Sequence, residues 1–132
     1  MFLMDLDEVL EEINRINNYL SKCMWMDFEL CKLNFVKTVI SGKIDISLNE
    51  YAIDIEFEYP YCVLSPFFWK ADTTKPFIEL ASQDEFIELN KRYMIEKGNY
   101  VFKIYMEDFN DSAIYIAAKK IKCIINNETP FA

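Results

Sequence analysis

The chain has 132 residues, a net charge of −8 and an aromatic content of 16%, and just over half of its residues are apolar. That length serves one domain with one core, so residues 1–132 read as a single domain, and so apolar a chain is not disordered. Two glycines leave little for a Gly-rich phosphate loop, the absence of histidine removes His-based zinc sites and His general bases, and the acidic balance disfavours nucleic acid and anionic lipid while favouring a basic protein partner.

Cys23, Cys31, Cys62 and Cys123 form no C-x-x-C pair. Scattered in this way they read as buried, reduced thiols. The opening residues, MFLMDLDEVL, carry acids where a signal peptide needs bases, and no apolar run approaches a membrane span. The expected location is a cytoplasm, with no membrane contact.

Asp5 and Glu8 have capping-box spacing. Leu6, Val9, Leu10, Ile13, Ile16 and Leu20 then recur at three- and four-residue steps, which predicts an amphipathic helix from Asp5 to Ser21. Glu11, Glu12, Asn14, Asn17 and Asn18 fall on its other face. It reads as a helix packed on a sheet, with an acidic face open to a partner as the functional alternative.

From Cys23 to Ile40 the apolar phase changes parity. Met26, Phe28 and Leu30 set one phase, Leu33 and Phe35 the other, and a bulge or turn near Lys32 would account for the switch. This stretch reads as two short strands or one long bent one. Ser41-Gly42 reads as a break. Ile44 and Ile46 then predict a short strand, joined by Leu48-Asn49-Glu50 to the next one as a hairpin.

That next strand is the clearest in the chain. In YAIDIEFEY, Tyr51, Ile53, Ile55, Phe57 and Tyr59 take every second position, and Asp54, Glu56 and Glu58 stand between them. Successive side chains on a strand point to opposite faces, so one face is apolar and the other carries three carboxylates. Pro60 ends the strand or marks an edge, because it cannot donate to a ladder.

Tyr61 to Lys70, YCVLSPFFWK, is the densest aromatic patch. Phe67, Phe68 and Trp69 are consecutive, so they cannot all face one way in an extended segment. Either both sides are covered or a ring reaches solvent or a partner. Core packing is the usual reading; a pocket wall or an interface anchor is the functional one.

ADTTKP reads as a loop, and Phe77, Ile78 and Leu80 as a short strand. Ser82 and Glu85 repeat the capping-box spacing ahead of a helix over 83–91. Lys97-Gly98-Asn99 is a turn. Tyr100, Phe102, Ile104 and Met106 form one apolar strand face, and Asp108 to Asp111 the next turn. A last strand spans 113–125, with a change of parity near Ala117-Ala118 that predicts a bulge or kink. Lys119, Lys120 and Lys122 are placed to pair with the acids of the central strand if the two are neighbours. The tail NNETPFA reads as frayed.

Asp54, Glu56 and Glu58 are spaced as glycosidase carboxylates can be, yet an outward, solvated row has no cause for the raised pKa that catalysis needs. DTT and EDFND lack the spacing and glycine of a calcium loop. The chain is therefore expected not to be an enzyme and to need no metal or cofactor.

The runs SGKIDISLNEYAIDIEFEYPYCVLSPFFWK, DTTKPFIELAS, YVFKIYMEDF and YIAAKKI resemble small stand-alone bacterial proteins found as immunity proteins beside polymorphic toxins. The likeness covers about two thirds of the chain and lies in size, acidity, aromatic strands and a leading helix. It implies a non-catalytic protein that binds one partner, and it assigns no residue.

The expected fold is α+β: a curled antiparallel sheet of about six or seven strands with the N-terminal amphipathic helix packed on it. The expected function is protein binding, most concretely immunity-type inhibition of a basic toxin or effector by occlusion. Asp54, Glu56 and Glu58 would steer the partner and Trp69 would anchor it. The alternatives are a small-ligand carrier with an aromatic-lined cavity in a curled sheet, and a subunit that completes its core as a homodimer.

Overall fold

Helix α1 (Leu6–Ser21) starts where the capping signal places it. Asp5 accepts from the backbone N–H of Glu8, and Glu8 reaches back to the N–H of Asp5. The computed structural model describes residues 4–45, 47–107 and 113–129. Ile46, the expected turn at Asp108–Asp111, and the last three residues of the tail lie outside that set.

Seven strands follow the helix: β1 (Met26–Leu33), β2 (Lys37–Lys43), β3 (Ile53–Leu64), β4 (Phe68–Ala71), β5 (Ile78–Leu80), β6 (Tyr100–Tyr105) and β7 (Ala113–Ile125). Helix α2 (Gln83–Tyr93) lies between β5 and β6 in the chain. Every pairing is antiparallel, and the order across the sheet is β4-β1-β2-β3-β7-β6-β5. The sheet curls into a half-barrel. Its outer strand β4 meets the chain just past β6 through a bridge between Ala71 and Met106 and a bond from Glu107 N to Lys70 O.

The concave side holds the core. Ile53, Ile55 and Phe57 of β3 point inward with Phe28, Ile40, Phe102, Ile104 and Ile121, and α1 covers them with Val9, Ile13, Ile16 and Leu20. Phe28 stacks on Phe77 with ring centres 4.6 Å apart, and Phe57 meets Phe102 edge-on at 5.2 Å. Full burial of each such ring stabilises the fold by roughly 1.5–3 kcal/mol before entropy is counted.

The parity changes read from the sequence are real irregularities. In β1 the register against β2 shifts between Leu30 and Lys32. In β7 the buried set passes from Ile114 and Ile116 to Ile121 and Cys123, with Ala117 and Ala118 both buried between them. Opposite, β3 shifts register between Pro60 and Cys62, and Tyr59 takes φ 53°. Small side chains at 117 and 118 let both strands bend there.

One local pairing differs from expectation. The strand that joins β3 is Lys37–Lys43, earlier than the Ile44–Ile46 segment, and Ser41-Gly42 lies inside it rather than breaking it. Gly42 is inward, and a Cβ there would sit 2.7 Å from Met26 Cγ and 3.0 Å from Phe28 Cζ. The glycine is in the strand because its neighbours fill the space a side chain would need.

Candidate functional site

The carboxylates of β3 do face outward, but they are not a bare anionic strip. Asp54 accepts from Ser41 Oγ at 2.5 Å and from Asn126 Nδ2 at 2.9 Å. Glu56 pairs with Lys37 at 2.8 Å, and that bond, with the charge behind it, raises the Lys37 pKa. Glu56 stands opposite Lys122 in register, and Glu58 stands between Lys37 and Lys120. Beside them Tyr51 donates to Glu29, and Lys43 lies 4.8 Å over the Tyr51 ring. The convex face of β1, β2, β3 and β7 is thus a mesh of alternating charges. Lys37 offsets the charge of Glu56, Lys37 and Lys120 flank Glu58 in register, and Asp54 is held by neutral donors.

Trp69 occupies the place of an anchor in the sequence but not in space. It is 8% exposed and stacks on Phe28 at 5.7 Å. A ring held in the core has no surface to offer a partner, which corrects its assignment as the exposed anchor. The alternation that turns Trp69 inward turns Phe68 outward, and Phe67, in the bend just before β4, is open too; each is 72% exposed.

Those two rings are part of a larger apolar surface at one end of the half-barrel. The β1–β2 hairpin tip is a tight turn in which Asn34 Oδ1 accepts from the N–H groups of Val36 and Lys37. It leaves Phe35 95% exposed, with Leu33 and Val36 also open. Tyr59 N donates to Val36 O and Leu30 N to Phe67 O, so the tip, β3 and the start of β4 are stitched together. Tyr61 donates to the carbonyls of Tyr93 and Met94, which brings the left-handed C-cap of α2 to the same end, with Met94 78% exposed. Between the tip and β3 runs an open groove of about 510 Å³ lined by Leu33, Asn34, Phe35 and residues 60–63. Burial raises the Cys62 thiol pKa there.

Helix α2 rests on the convex face of β6 and β7 through one carboxylate. Glu85 receives Lys103 Nζ at 2.6 Å and Tyr115 OH at 2.7 Å, besides its capping bond from Ser82 N. Burial works to raise the Glu85 carboxyl, but the hydrogen bonds from Lys103, Ser82 and Tyr115 outweigh it and hold the pKa at about 2. Burial and the same carboxylate push the Tyr115 hydroxyl up to about 12. A group so firmly ionised is a poor proton shuttle at neutral pH. A groove of about 430 Å³ beside it is lined by Asp84, Glu85, Glu88, Leu89, Arg92 and Tyr115. Among the described residues, no group of three or more His, Cys, Asp or Glu is placed to hold a metal. No helix among the described residues is long and apolar enough to cross a membrane.

The exposed apolar end was only half visible in the sequence. The FFW triplet shows that the rings cannot all face one way, but not whether one is exposed or which. The parity change near Lys32 allows a turn in this run, but does not place its tip at Asn34–Val36 or show Phe35 open. No protein-family model, curated protein or solved structure matches the chain.

Proposed function

We propose that the protein is a non-catalytic binding protein that occludes a macromolecular partner with the apolar end of its half-barrel. The supporting observation is the group of large exposed side chains there: Phe35, Phe67, Phe68 and Met94, with Tyr61 between them. Large exposed apolar patches are marks of protein–protein interaction sites. Aromatic residues are also what binding hot spots are made of. The immunity-type reading, in which the partner is a basic toxin or effector, follows from the resemblance and from the net charge of −8. Attraction of a cationic partner then comes from the whole acidic surface, with Asp7 and Glu11 exposed on α1, more than from the compensated row at Asp54, Glu56 and Glu58.

The carrier reading has less support. The four grooves, of about 270 to 510 Å³, open to solvent, and the concave side is occupied by Phe28, Phe57, Phe77 and Phe102.

The test is capture from the native host, followed by co-expression of the captured protein. Wild-type chain should retain one partner and relieve any growth arrest that the partner causes. Phe35→Ser with Phe67→Ser should lose both effects while melting at the same temperature. If instead Asp54→Asn, Glu56→Gln and Glu58→Gln together abolish capture and the aromatic variant does not, the apolar end is the wrong site.

A further inference from the structure

The apolar groove has a backbone side as well as a side-chain side. Strand β2 pairs with β3 only from Gly42↔Ile53 to Lys37↔Glu58. One more bond, from Tyr59 N to Val36 O, closes that ladder, and the hairpin then turns away at Asn34–Val36. Strand β3 continues to Leu64, paired on its other side with β7 through Leu64↔Tyr115. From Pro60 to Leu64 the β2-side edge of β3 therefore has no strand beside it among the described residues. In an antiparallel ladder, alternate residues turn their N–H and C=O to opposite edges. Part of the backbone of 61–64 thus faces the groove.

We propose that this edge accepts an added strand: an extended segment of a partner protein lies in the groove, in line with β2, and continues the sheet where β2 leaves it. This inference rests on the binding reading above and specifies its mode. The occupant is named by what the site offers. Open ladder positions call for an extended backbone, and the flanking Leu33, Phe35 and Val63 call for apolar side chains at every second position. Pro60, at the start of the open edge, is paired with Ala118 of β7 on the other side. A second copy of this chain is the weaker occupant, since two molecules of net charge −8 would meet edge to edge. The contrast with β5 also argues that the opening is specific. There the free edge is filled by Asn17 of α1, which accepts from Phe77 N and Ile78 N and donates to Ile78 O.

The probe is a phage-displayed library of random nonapeptides selected on the immobilised full chain and counter-selected on Phe35→Ser. Enriched peptides should show apolar residues at alternate positions. A synthetic copy of one should protect amides within 61–64 from hydrogen exchange. N-methylation of alternate amides along one edge of that peptide should weaken binding at least tenfold, and along the other edge hardly at all. Val63→Asp, a substitution on the groove wall, should weaken it comparably. Peptides without alternation, indifference to N-methylation on both edges, or no enrichment at all would each overturn the proposal. A concentration-dependent dimer abolished by Phe35→Ser would overturn it too, by giving the edge to a second copy. The binding reading fails separately: it falls if capture from the host survives Phe35→Ser with Phe67→Ser. Should that variant lose the partner while the amides of 61–64 stay unprotected in the wild-type complex, only the added strand is wrong.

Discussion

Among the described residues the half-barrel leaves strand edges unpaired at several places, and two of them are treated in opposite ways. On the α1 side, β6 stops pairing with β7 at Ala118, and β7 runs on to Ile125. Glu12 accepts from Cys123 N at 3.1 Å, Arg15 donates to Cys123 O at 2.8 Å, and Asn17 satisfies Ile78 on β5 in the same manner. Side chains of one helix stand in for a missing strand. At the other end, the edge of β3 past Tyr59 has no such cover and is bordered by exposed aromatics. An open apolar edge is a hazard that proteins ordinarily blunt with charge or a covering element. The chain thus plugs one edge residue by residue and, among the described residues, leaves the other without a covering element.

The core shared by both ends sets the scale of what substitution can do. Phe57→Ala should cost about 3–5 kcal/mol, enough to unfold much of a marginally stable domain, and thermal melting would read it directly. A loss under about 1 kcal/mol would mean that the inward face of β3 is loosely packed. Next comes the plug. Asn17→Ala removes three bonds to backbone groups that are part-buried and should cost about 1–3 kcal/mol. Hydrogen exchange at the Ile78 amide should accelerate with it. If exchange there stays slow, water replaces the asparagine and the two edges differ less than the geometry implies.

A smaller effect follows from the anchor of α2. The Glu85 pKa is lowered from 4.5 to about 2 in the folded protein. The stability it supplies is therefore present above about pH 4.5 and is lost as pH falls through about 2. Fluorescence of a label on α2 should show the helix loosening in that acid range, and Glu85→Gln should remove this step from the titration. The smallest change is expected at the open end. Phe35→Ser should move stability by no more than about 0.5 kcal/mol, because the ring has almost nothing to lose on unfolding. Destabilisation several times larger would place Phe35 in the core and dissolve the contrast between the two edges.

Periodicity alone specifies much of this molecule. The two capping boxes, the apolar stripe of α1, the alternation of β3 and β6, and the bulge in β1 are local features. They follow from which side chains suit a helix face or a pleated surface, and that information lies within a few residues of itself. The bulge expected at Ala117-Ala118 of β7, by contrast, has its extra residue on β3, between Pro60 and Cys62. What tertiary structure decided is which polar residue does what. Glu12 and Asn17 read as the solvent face of an amphipathic helix. They became backbone partners because the curl of the sheet brought two unpaired edges against that face. Glu56 reads as a free carboxylate and Trp69 as a candidate anchor. The first was paired by a lysine from a neighbouring strand and the second was drawn inward by Phe28, while Phe35 and Phe67 were left outside. Sequence spacing encodes the direction of a side chain relative to its own backbone; its surroundings depend on where distant strands come to lie, and those positions are chosen by the fold as a whole.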